Sequence, residues 1–356
     1  MVDMLRIGHL ELAFPVVQAA LSGYSDLAMR RVARLHGAVY MLNEVVLDQL
    51  VLQRGRKRRL ITTVAPDDHP VGGQLMGAEP EVFAEAAGEL VEAGYDCVDI
   101  NFGCPVRKVL GRCRGGFLLS QPRTALAIVR SVHDAVARRV PVTVKMRRGM
   151  DDSAESERSF FTILDGAFDL GVSAVTVHAR TVKQRYVGPS QWSFLRRVKE
   201  HVGDRTVLGS GDLFGAEDGI RMMAETGVDG AAVARGCIGN PWIFRECRAL
   251  LAGRPLPPPP SVAEQGETIR RHYLWSVETH GERRASLVMR KFGIKYSELH
   301  PMGMAVRDAF IAVRNAGDWE AVLASWYDPS KDWPPGRRRV GLGHLVAAGA
   351  AMSSEK

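Results

Sequence analysis

The sequence has few cysteine and aromatic residues, and each shortage argues against a class of protein. Five of its 356 residues are cysteines, an odd number in a chain long enough to bury its own core, so a disulfide framework is not expected. Aromatic residues make up 7% of the chain whereas glycine supplies 36 residues, a balance that suits strand-to-helix turns better than an aromatic-rich sandwich. With 46% hydrophobic and 24% charged residues, the composition favours a globular α/β protein in a reducing cytoplasm.

The sequence also has no recognisable leader or membrane segment. Its start, MVDMLRIGHLELAF, contains Asp3 and Glu11 instead of a basic region followed by an apolar one, and no stretch approaches the roughly 18 apolar residues of a membrane span. We therefore expect a cytoplasmic protein that has no membrane partner. The net charge of +7, from 47 Lys and Arg against 40 Asp and Glu, favours an anionic partner.

Eight short apolar runs alternate with segments whose apolar residues recur at helical spacing. The predicted strands are FPVVQAAL at 14–21, AVYMLNEV at 38–45, PVGGQLM at 70–76, CVDINFG at 97–103, PVTVKMR at 141–147, AVTVHAR at 174–180, TVLGSG at 206–211 and GAAVAR at 230–235. The predicted helices span 25–36, 79–93, 122–138, 155–170, 191–202 and 215–226. This alternation predicts a parallel (β/α)₈ barrel. The alternative is an open doubly wound sheet, but VVQAALSGYSD lacks its GxGxxG fingerprint.

The remainder of the chain predicts a second, smaller domain. We assign residues 1–252 to the barrel and 253–261, which include the polyproline stretch, to a stiff linker. Residues 262–328 show helical periodicity without strand runs, which predicts a small helical domain. Residues 329–356 offer little to pack and are expected to form a loosely held tail.

Two glycine-rich turns follow the last two predicted strands, GSGD at 209–212 and ARGCIGNP at 234–241. In barrels these turns bind phosphate, because glycine lets the backbone approach the anion and amide groups at a helix start point towards it. Because two such turns follow adjacent strands, we favour the interpretation that they bind a phosphate-bearing ligand. The alternative is that their glycines only allow tight turns.

Cationic residues end the two preceding strands in a repeated pattern. Lys145 and Arg147 lie two residues apart and so on one face of strand five, and His178 and Arg180 do the same on strand six. A lysine at the barrel mouth can offset negative charge on a reduced ring, and His178 can donate a hydrogen bond to a ring or a phosphate. A single strand histidine is usually a core residue and a single lysine a surface residue. Because the pattern occurs on two adjacent strands, we favour a shared functional role for Lys145 and His178.

Two amide side chains end the strands before these. Gln74 ends strand three and Asn101 ends strand four. Each amide can both donate and accept, which recognition of the imide edge of a ring requires.

Cys104 follows Asn101 by three residues, in NFGCP, on the loop that leaves the strand over the barrel mouth. Its thiol could be a nucleophile, a metal ligand or a general acid. A metal site is not expected, because Cys97, Cys104 and Cys113 lack paired CxxC spacing. A nucleophile would need a base, which His178 could supply, so spacing alone leaves both other roles open.

These segments resemble the flavin-dependent tRNA-dihydrouridine synthases. NFGCPVRKVL, VTVKMRRG, VTVHARTVKQRYVGPSQW, GSGD and ARGCIGNPWIF match the signature segments of that family in the same order, and the resemblance spans roughly residues 14–315. It implies an FMN-binding barrel, a helical domain that binds tRNA, and reduction of uridine at C5–C6 with NADPH as the electron donor. It also implies a cytoplasmic protein, and we expect a monomer.

The resemblance assigns roles residue by residue. Cys104 matches the general acid. The positions that match FMN contacts are Gln74, Asn101, Lys145 and His178, with Gly209, Ser210, Gly211, Ala234, Arg235 and Gly236 at the phosphate. The positions expected on the substrate side are Arg147, Arg180, Arg290 and Lys291.

The chain departs from the family pattern at three places. Ala20 and Leu21 replace the usual Pro-Met after strand one, and Cys113 stands where the family usually has glycine. In the helical domain Arg290 and Lys291 are kept, but the sequence after them differs. The departures affect packing on the flavin, the substrate loop and docking of the RNA.

Basic runs are consistent with an RNA partner. RGRKRR at 54–59 has five cations in six residues, and further cations in the helical domain are Arg283, Arg284, Arg290, Lys291 and Lys295. Two other functions fit part of the sequence. A dihydroorotate dehydrogenase-type flavin enzyme would use the barrel but not the basic domain, and a non-catalytic RNA-binding protein would not need Cys104 or Lys145.

Overall fold

The protein is described by a computed structural model over residues 4–339 and residue 341. Its strands are β1 (Leu5–Ile7), β2 (Leu10–Leu12), β3 (Val16–Gln18), β4 (Met41–Leu42), β5 (Val46–Leu47), β6 (Val71–Met76), β7 (Cys97–Phe102), β8 (Val142–Arg147), β9 (Ala174–His178), β10 (Val207–Ser210) and β11 (Gly230–Val233). Eight of them, β3, β4 and β6 to β11, are parallel and close into a barrel through the β3–β4, β4–β6 and β11–β3 pairings. The predicted (β/α)₈ barrel is confirmed.

The helices are α1 (Leu27–Leu35), α2 (Asp48–Leu52), α3 (Arg56–Thr62), α4 (Pro80–Glu92), α5 (Arg107–Leu110), α6 (Pro122–Val136), α7 (Ala154–Asp169), α8 (Trp192–Val202), α9 (Ala216–Thr226), α10 (Ile243–Leu251), α11 (Val262–His280), α12 (Glu282–Tyr296), α13 (Gly303–Ala312) and α14 (Ala316–Trp326). Several begin where the sequence provides helix-start chemistry. Pro80 and Pro122 occupy the first turn of α4 and α6, and Ser153 and Ser261 accept a backbone N–H at the start of α7 and α11.

The strand predicted at 38–45 is shorter in the structure, where only β4 (Met41–Leu42) falls within it and β5 begins just beyond it. Asn43 lies between β4 and β5, and its side chain accepts the Gln74 N–H at 2.7 Å and donates to the Tyr95 hydroxyl at 3.1 Å. These side-chain bonds replace part of the ladder, so the strand resumes only at Val46. The β1–β2 hairpin is not expected from the sequence pattern. Its turn packs at the start of β8 and β9, where Gly8 faces Pro141 and Ser173.

The helical domain is docked on the side of the barrel that carries α1. Asp26, the residue that caps α1, lies 2.8 Å from the His280 ring, and Arg31 of α1 pairs with Glu278 at 2.9 Å. The Lys291 ammonium donates to the Gly23 carbonyl in the loop before α1. Because that loop leaves the carboxyl end of β3, the helical domain flanks the mouth of the barrel. Within the described ranges, no helix is both long and apolar enough to cross a bilayer.

The segment after the helical domain differs from the loosely held tail that the sequence predicts. Over residues 329–339 it packs on both domains. The Trp333 ring lies 5.1 Å from His300, and its indole N–H donates to the Asp328 carbonyl at 2.9 Å. Arg337, Arg338 and Arg339 each find partners, which composition alone does not reveal. Residue 340 and residues 342–356 of the predicted tail lie outside the described part of the chain.

Candidate active site and cofactor pocket

A cavity of about 560 Å³ lies at the carboxyl ends of the barrel strands, where barrels collect their functional residues. The predicted site residues in its lining are Gln74, Asn101, Cys104, Lys145, Arg147, His178, Ser210, Gly211, Ala234 and Arg235. Ala20 and Leu21, which replace the usual Pro-Met, also line it. The structure therefore brings together residues that the sequence spreads over more than two hundred positions.

Five predicted residues do not line the cavity. Gly209 lies behind it, where an added Cβ would come within 2.5 Å of the Met222 sulfur, and Gly236 lies against the Leu213 carbonyl. Arg180, Arg290 and Lys291 also lie outside the lining.

The two amides of the site are joined in one buried network. The Asn101 amide donates to the Gln74 side-chain carbonyl at 2.7 Å, and Gln74 donates in turn to the Asp99 carboxylate at 2.6 Å. Asp99 also accepts the Thr143 hydroxyl at 2.5 Å. Burial raises the pKa of Asp99, while the Thr143 and Gln74 hydrogen bonds oppose that rise. The network fixes both amides at the cavity wall before any ligand binds.

Lys145 and His178 lie at the cationic wall of the cavity. Burial and, to a smaller extent, the neighbouring Arg147 lower the pKa of Lys145 to about 8, although Asp99 opposes the shift. Burial, together with Lys145 and the surrounding arginines, lowers the pKa of His178 far below its usual range, so the imidazole is neutral at neutral pH. Its Nε2 is buried and has no hydrogen-bond partner among the residues that the structure describes. A neutral ring nitrogen without a partner is available to a bound ligand.

The two glycine-rich turns meet behind the cavity. Gly211 has φ +116°, and an added Cβ would come within 2.3 Å of the Ser190 hydroxyl. At Gly236 an added Cβ would lie 2.0 Å from the Leu213 carbonyl oxygen. Neither position accepts a side chain, so the turn after β10 and the turn after β11 come into backbone contact.

The Cys104 loop is held by the end of β7. The Asn101 side-chain carbonyl accepts the N–H groups of Gly103 at 2.9 Å and of Cys104 at 3.1 Å, and the Cys104 carbonyl accepts the Gly116 N–H at 3.1 Å. The Cys104 thiol is half-buried and interacts electrostatically with Lys145 and Arg147. Asn101 thus positions the thiol through the backbone of the loop.

Cys113, further along this loop, occupies a conformation that favours glycine. Its φ is +55° and its side chain is exposed, and Gly115 has φ +58°. A Cβ on Gly115 would come within 2.9 Å of the Cys104 Cβ. The glycine that the family usually has in place of Cys113 therefore corresponds to a left-handed position of the loop.

The two arginines expected on the substrate side are buried and bonded to protein. Arg147 donates to the carbonyls of Gly103 at 3.0 Å, Thr181 at 2.8 Å and Arg185 at 2.7 Å. Arg180 pairs with Asp212 at 2.7 Å. Both guanidinium groups hold loops of the barrel mouth, Arg147 at the cavity wall and Arg180 behind it.

The structure also brings residues to the cavity for which sequence reasoning gave no role. The exposed Tyr186 ring lies under the guanidinium groups of Arg235 at 4.3 Å and Arg147 at 5.2 Å. Glu298, with Lys295 at 2.8 Å and Arg339 at 2.7 Å, contributes from the helical domain and the segment beyond it. The only signal was for Tyr186, which lies inside the family-like segment TVKQRYVGPSQW.

The cations of the helical domain lie outside the cavity. Lys291 is half-buried over the Tyr24 ring, with its nitrogen 4.7 Å from the ring centroid. Arg290 is half-exposed and has no ion-pair partner among the described residues. Within the described ranges, no cluster of His, Cys, Asp and Glu side chains could hold a metal ion.

Comparison with solved structures supports the barrel. Morphinone reductase in complex with tetrahydroNAD aligns with a TM-score of 0.51 at 12% identity, over 72% of this chain and 92% of that one. Histamine dehydrogenase from Rhizobium sp. 4-9 aligns with a TM-score of 0.54 at 16% identity, over 71% of this chain and 48% of that one. The chain thus spans about half the length of histamine dehydrogenase, and both likenesses concern the fold alone.

Comparison of sequences identifies the family. Residues 17–325 match the family model described as dihydrouridine synthase. A protein of Mycobacterium tuberculosis named a probable tRNA-dihydrouridine synthase is 35% identical over 329 residues, 90% of this chain and 84% of that protein. One of Rickettsia typhi with the same name is 34% identical over 308 residues, 86% of this chain and 92% of that protein. With its signature segments gathered around one cavity, the chain belongs to the dihydrouridine synthase family.

Proposed function

We propose that this protein is a tRNA-dihydrouridine synthase that holds FMN and uses NADPH to reduce the C5–C6 double bond of uridines in tRNA. The observation that carries the proposal is the position of Cys104. In a chain of this family, its loop lies over a cavity whose walls present the residues expected to hold a flavin. A proton donor and a cofactor site thus face the same space.

The residues present fit FMN. The glycine-rich turns after β10 and β11 reach the cavity through Gly211 and through Ala234 and Arg235, where backbone N–H groups would hold a phosphate. The unpartnered Nε2 of His178 and the ammonium of Lys145 offer polar contacts to a ring system. Gln74 and Asn101 would hold its imide edge, and Ser210, Ala234 and Arg235 would complete the phosphate site. When bound, FMN supplies the hydride for the uracil ring, at C6 by family resemblance.

Cys104 supplies the proton. Its thiol donates its proton to C5 of the uracil, and the thiolate is then reprotonated from solvent. Asn101 positions that thiol through the Gly103 and Cys104 N–H groups. Lys145 would offset negative charge at the cofactor while it is protonated.

The remaining cations would handle the nucleic acid. A uridine must leave its stack to reach the cavity, and Arg147 and Arg180 would shape the barrel mouth that receives it. Arg290 and Lys291 lie on the flanking helical domain, where they would contact tRNA. A monomer in the cytoplasm, as the sequence predicts, is part of the proposal.

The experiment is a reconstitution. Purified full-length protein is incubated with FMN, NADPH and tRNA transcribed without modifications, and dihydrouridine is measured by mass spectrometry of the digested RNA. We expect dihydrouridine that depends on all three additions. Reduction of the flavin by dihydroorotate, which is oxidised in the process, with no dihydrouridine formed in tRNA, would favour the dihydroorotate dehydrogenase type instead. Binding of tRNA without turnover would favour the non-catalytic alternative.

A further inference from the structure

Three consecutive arginines beyond the part of the chain matched by the family model contact three different parts of the protein. The family match ends at residue 325. The backbone N–H of Arg337 donates to the Leu299 carbonyl at 2.7 Å, and its guanidinium donates to the Pro301 carbonyl at 2.8 Å, both in the helical domain. Arg338 pairs with the buried Glu246 of α10 at 3.1 Å. We call residues 334–339 the arginine strap.

Arg339 extends the strap to the cavity. Its guanidinium donates to the carbonyls of Gly236 at 3.0 Å, Arg235 at 3.3 Å and Ile238 at 3.1 Å. It also pairs with Glu298 at 2.7 Å. The side chain is 13% exposed and belongs to the cavity lining. The Arg339 guanidinium therefore donates hydrogen bonds to three carbonyls of the turn after β11.

The turn after β10 is braced in a similar way by a residue of the barrel itself. Arg180 pairs with Asp212, which also accepts the Ser190 N–H at 2.8 Å. Asp212 has φ +60°, a strained conformation for a residue with a side chain. The turn after β11 receives its arginine from the strap instead. Each of the two glycine-rich turns thus has an arginine that fixes it.

We infer that Arg339 is a positioning residue for the cofactor phosphate, and that its pair with Glu298 links the phosphate end of the cavity to the helical domain. The inference rests on the proposed function, because it requires FMN at these turns. The carbonyl and N–H of a planar peptide point in opposite directions. Holding the carbonyls of residues 235, 236 and 238 therefore sets the orientation of the N–H groups across those peptides.

The charges around Arg339 also favour binding of a phosphate at this end of the cavity. Glu298 lies between Lys295 at 2.8 Å and Arg339 at 2.7 Å. One carboxylate between two cations leaves a net positive charge at this end of the cavity, to which Arg235 adds. That charge would favour a phosphate dianion and would do little for a ligand that lacks the phosphate.

The test compares FMN with riboflavin, which lacks the phosphate, in binding to the full-length protein freed of flavin. In Arg339→Ala we expect the FMN dissociation constant to rise about tenfold, the effect of losing hydrogen bonds from a charged group. The riboflavin constant should change less than about twofold. Arg339→Lys keeps the charge but cannot grip several carbonyls, so we expect an intermediate FMN loss of about threefold.

The matched control is Arg337→Ala, which loosens the same strap without touching the turn. We expect its FMN and riboflavin constants to stay within about twofold of wild type. Equal losses for FMN and riboflavin in Arg339→Ala, or equal effects of Arg337→Ala and Arg339→Ala, would overturn the inference. If Arg339→Ala does not fold, Arg339→Lys provides the same comparison of flavins. Wild-type protein that binds neither flavin would overturn the proposed function itself, which separates that failure from failure of the strap.

Discussion

The two sides of the cavity are built differently. On one side, which we call the cofactor half, four polar side chains lie at or near the carboxyl ends of adjacent barrel strands: Gln74, Asn101, Lys145 and His178. A buried network through Asp99 fixes the two amides. On the other side, which we call the substrate half, the Cys104 thiol lies on the loop at 103–116. The Asn101 side chain holds the first residues of that loop by accepting their N–H groups. Further along, residues with positive φ determine the path of the backbone.

The difference indicates how the two halves divide their work. A cofactor that stays bound is best served by rigid groups that need no rearrangement. A substrate as large as tRNA must enter and leave, and loops supported by a rigid scaffold allow that. Asn101 belongs to both halves, because it donates to Gln74 and accepts from the Cys104 loop. Variants that affect one half and spare the other test this division.

The largest expected effect lies in the substrate half. Cys104→Ala should lower the rate at which reduced enzyme reduces uridine in tRNA by about 10²- to 10⁴-fold, the contribution of a positioned proton donor. Reduction of the flavin by NADPH should stay near normal, because the thiol acts only on the substrate. Stopped-flow measurement of each half-reaction separates the two rates.

Cys104→Ser should recover little, since a hydroxyl is a much weaker acid than a thiol, and Cys113→Ala is the matched control with an expected mild effect. A Cys104→Ala protein that blocks flavin reduction but is still reoxidised by tRNA would contradict the general-acid role. Equal losses for the two cysteine variants would mean that the proton donor is another group or is shared.

The next effect lies in the cofactor half and depends on pH. With a pKa of about 8 in the flavin-free protein, Lys145 is charged below that pH and neutral above it. Its attraction for an anionic cofactor should therefore be present at neutral pH and decline as pH rises. We expect the FMN dissociation constant to increase up to about tenfold between about pH 7 and pH 9.5, the effect of a one-unit pKa change on binding.

The Lys145→Met variant should bind FMN more weakly at neutral pH than wild type does, and its FMN dissociation constant should be nearly independent of pH over the same range. Lys183→Met, which removes an exposed lysine paired with Asp151, is the control and should retain the wild-type profile. Fluorescence titration of each protein provides the constants. A Lys145→Met profile that still follows wild type would assign the pH dependence to another group.

A smaller effect is expected at the outer edge of the substrate half. Arg290 is half-exposed on α12, and its removal should weaken tRNA binding about threefold and lower the salt dependence of binding by about one phosphate contact. Arg158→Ala, on the barrel helix α7, should leave both unchanged. Filter binding at several salt concentrations gives both quantities. Equal effects of the two variants would mean that Arg290 has no specific role in docking.

The smallest effect concerns the Cys104 loop itself. Because Cys113 has φ +55°, Cys113→Gly should relieve strain and stabilise the protein by about 0.5–1 kcal/mol after the entropy of glycine is subtracted. Gly115→Ala should do the opposite, since its Cβ would meet Cys104 at 2.9 Å. Urea denaturation measures both. Destabilisation by Cys113→Gly would show that the thiol side chain makes a contact of its own.

The barrel and most of the cavity wall follow from local sequence pattern. Gln74, Asn101, Lys145 and His178 end apolar runs, and parallel strands bring their carboxyl ends to one edge, so pattern and topology together predict a shared cavity. The family resemblance then supplies the roles. Local sequence pattern predicts the position of a residue when that position depends only on the strand to which the residue belongs.

Local sequence pattern does not predict contacts between residues that come together only through tertiary packing. Asp99 reads as one polar residue in a buried strand, although it anchors Gln74 and Thr143. Arg339 belongs to a basic run that suggests an unattached tail, yet it contacts Gly236, 103 positions earlier in the chain. Arg147 ends β8 as predicted, whereas Arg180 lies two residues beyond the end of β9. The loop carbonyls and the Asp212 carboxylate that bind these two arginines come from other parts of the chain.

The central claim is that both halves serve one reaction in one cavity. It is tested most directly by reducing the flavin of the full-length protein without oxygen, removing the excess donor, and mixing the protein with unmodified tRNA in a stopped-flow instrument. We predict that the flavin is reoxidised and that one dihydrouridine forms per flavin oxidised. Flavin that stays reduced in the presence of tRNA, or that is reoxidised without dihydrouridine in the RNA, would contradict the account.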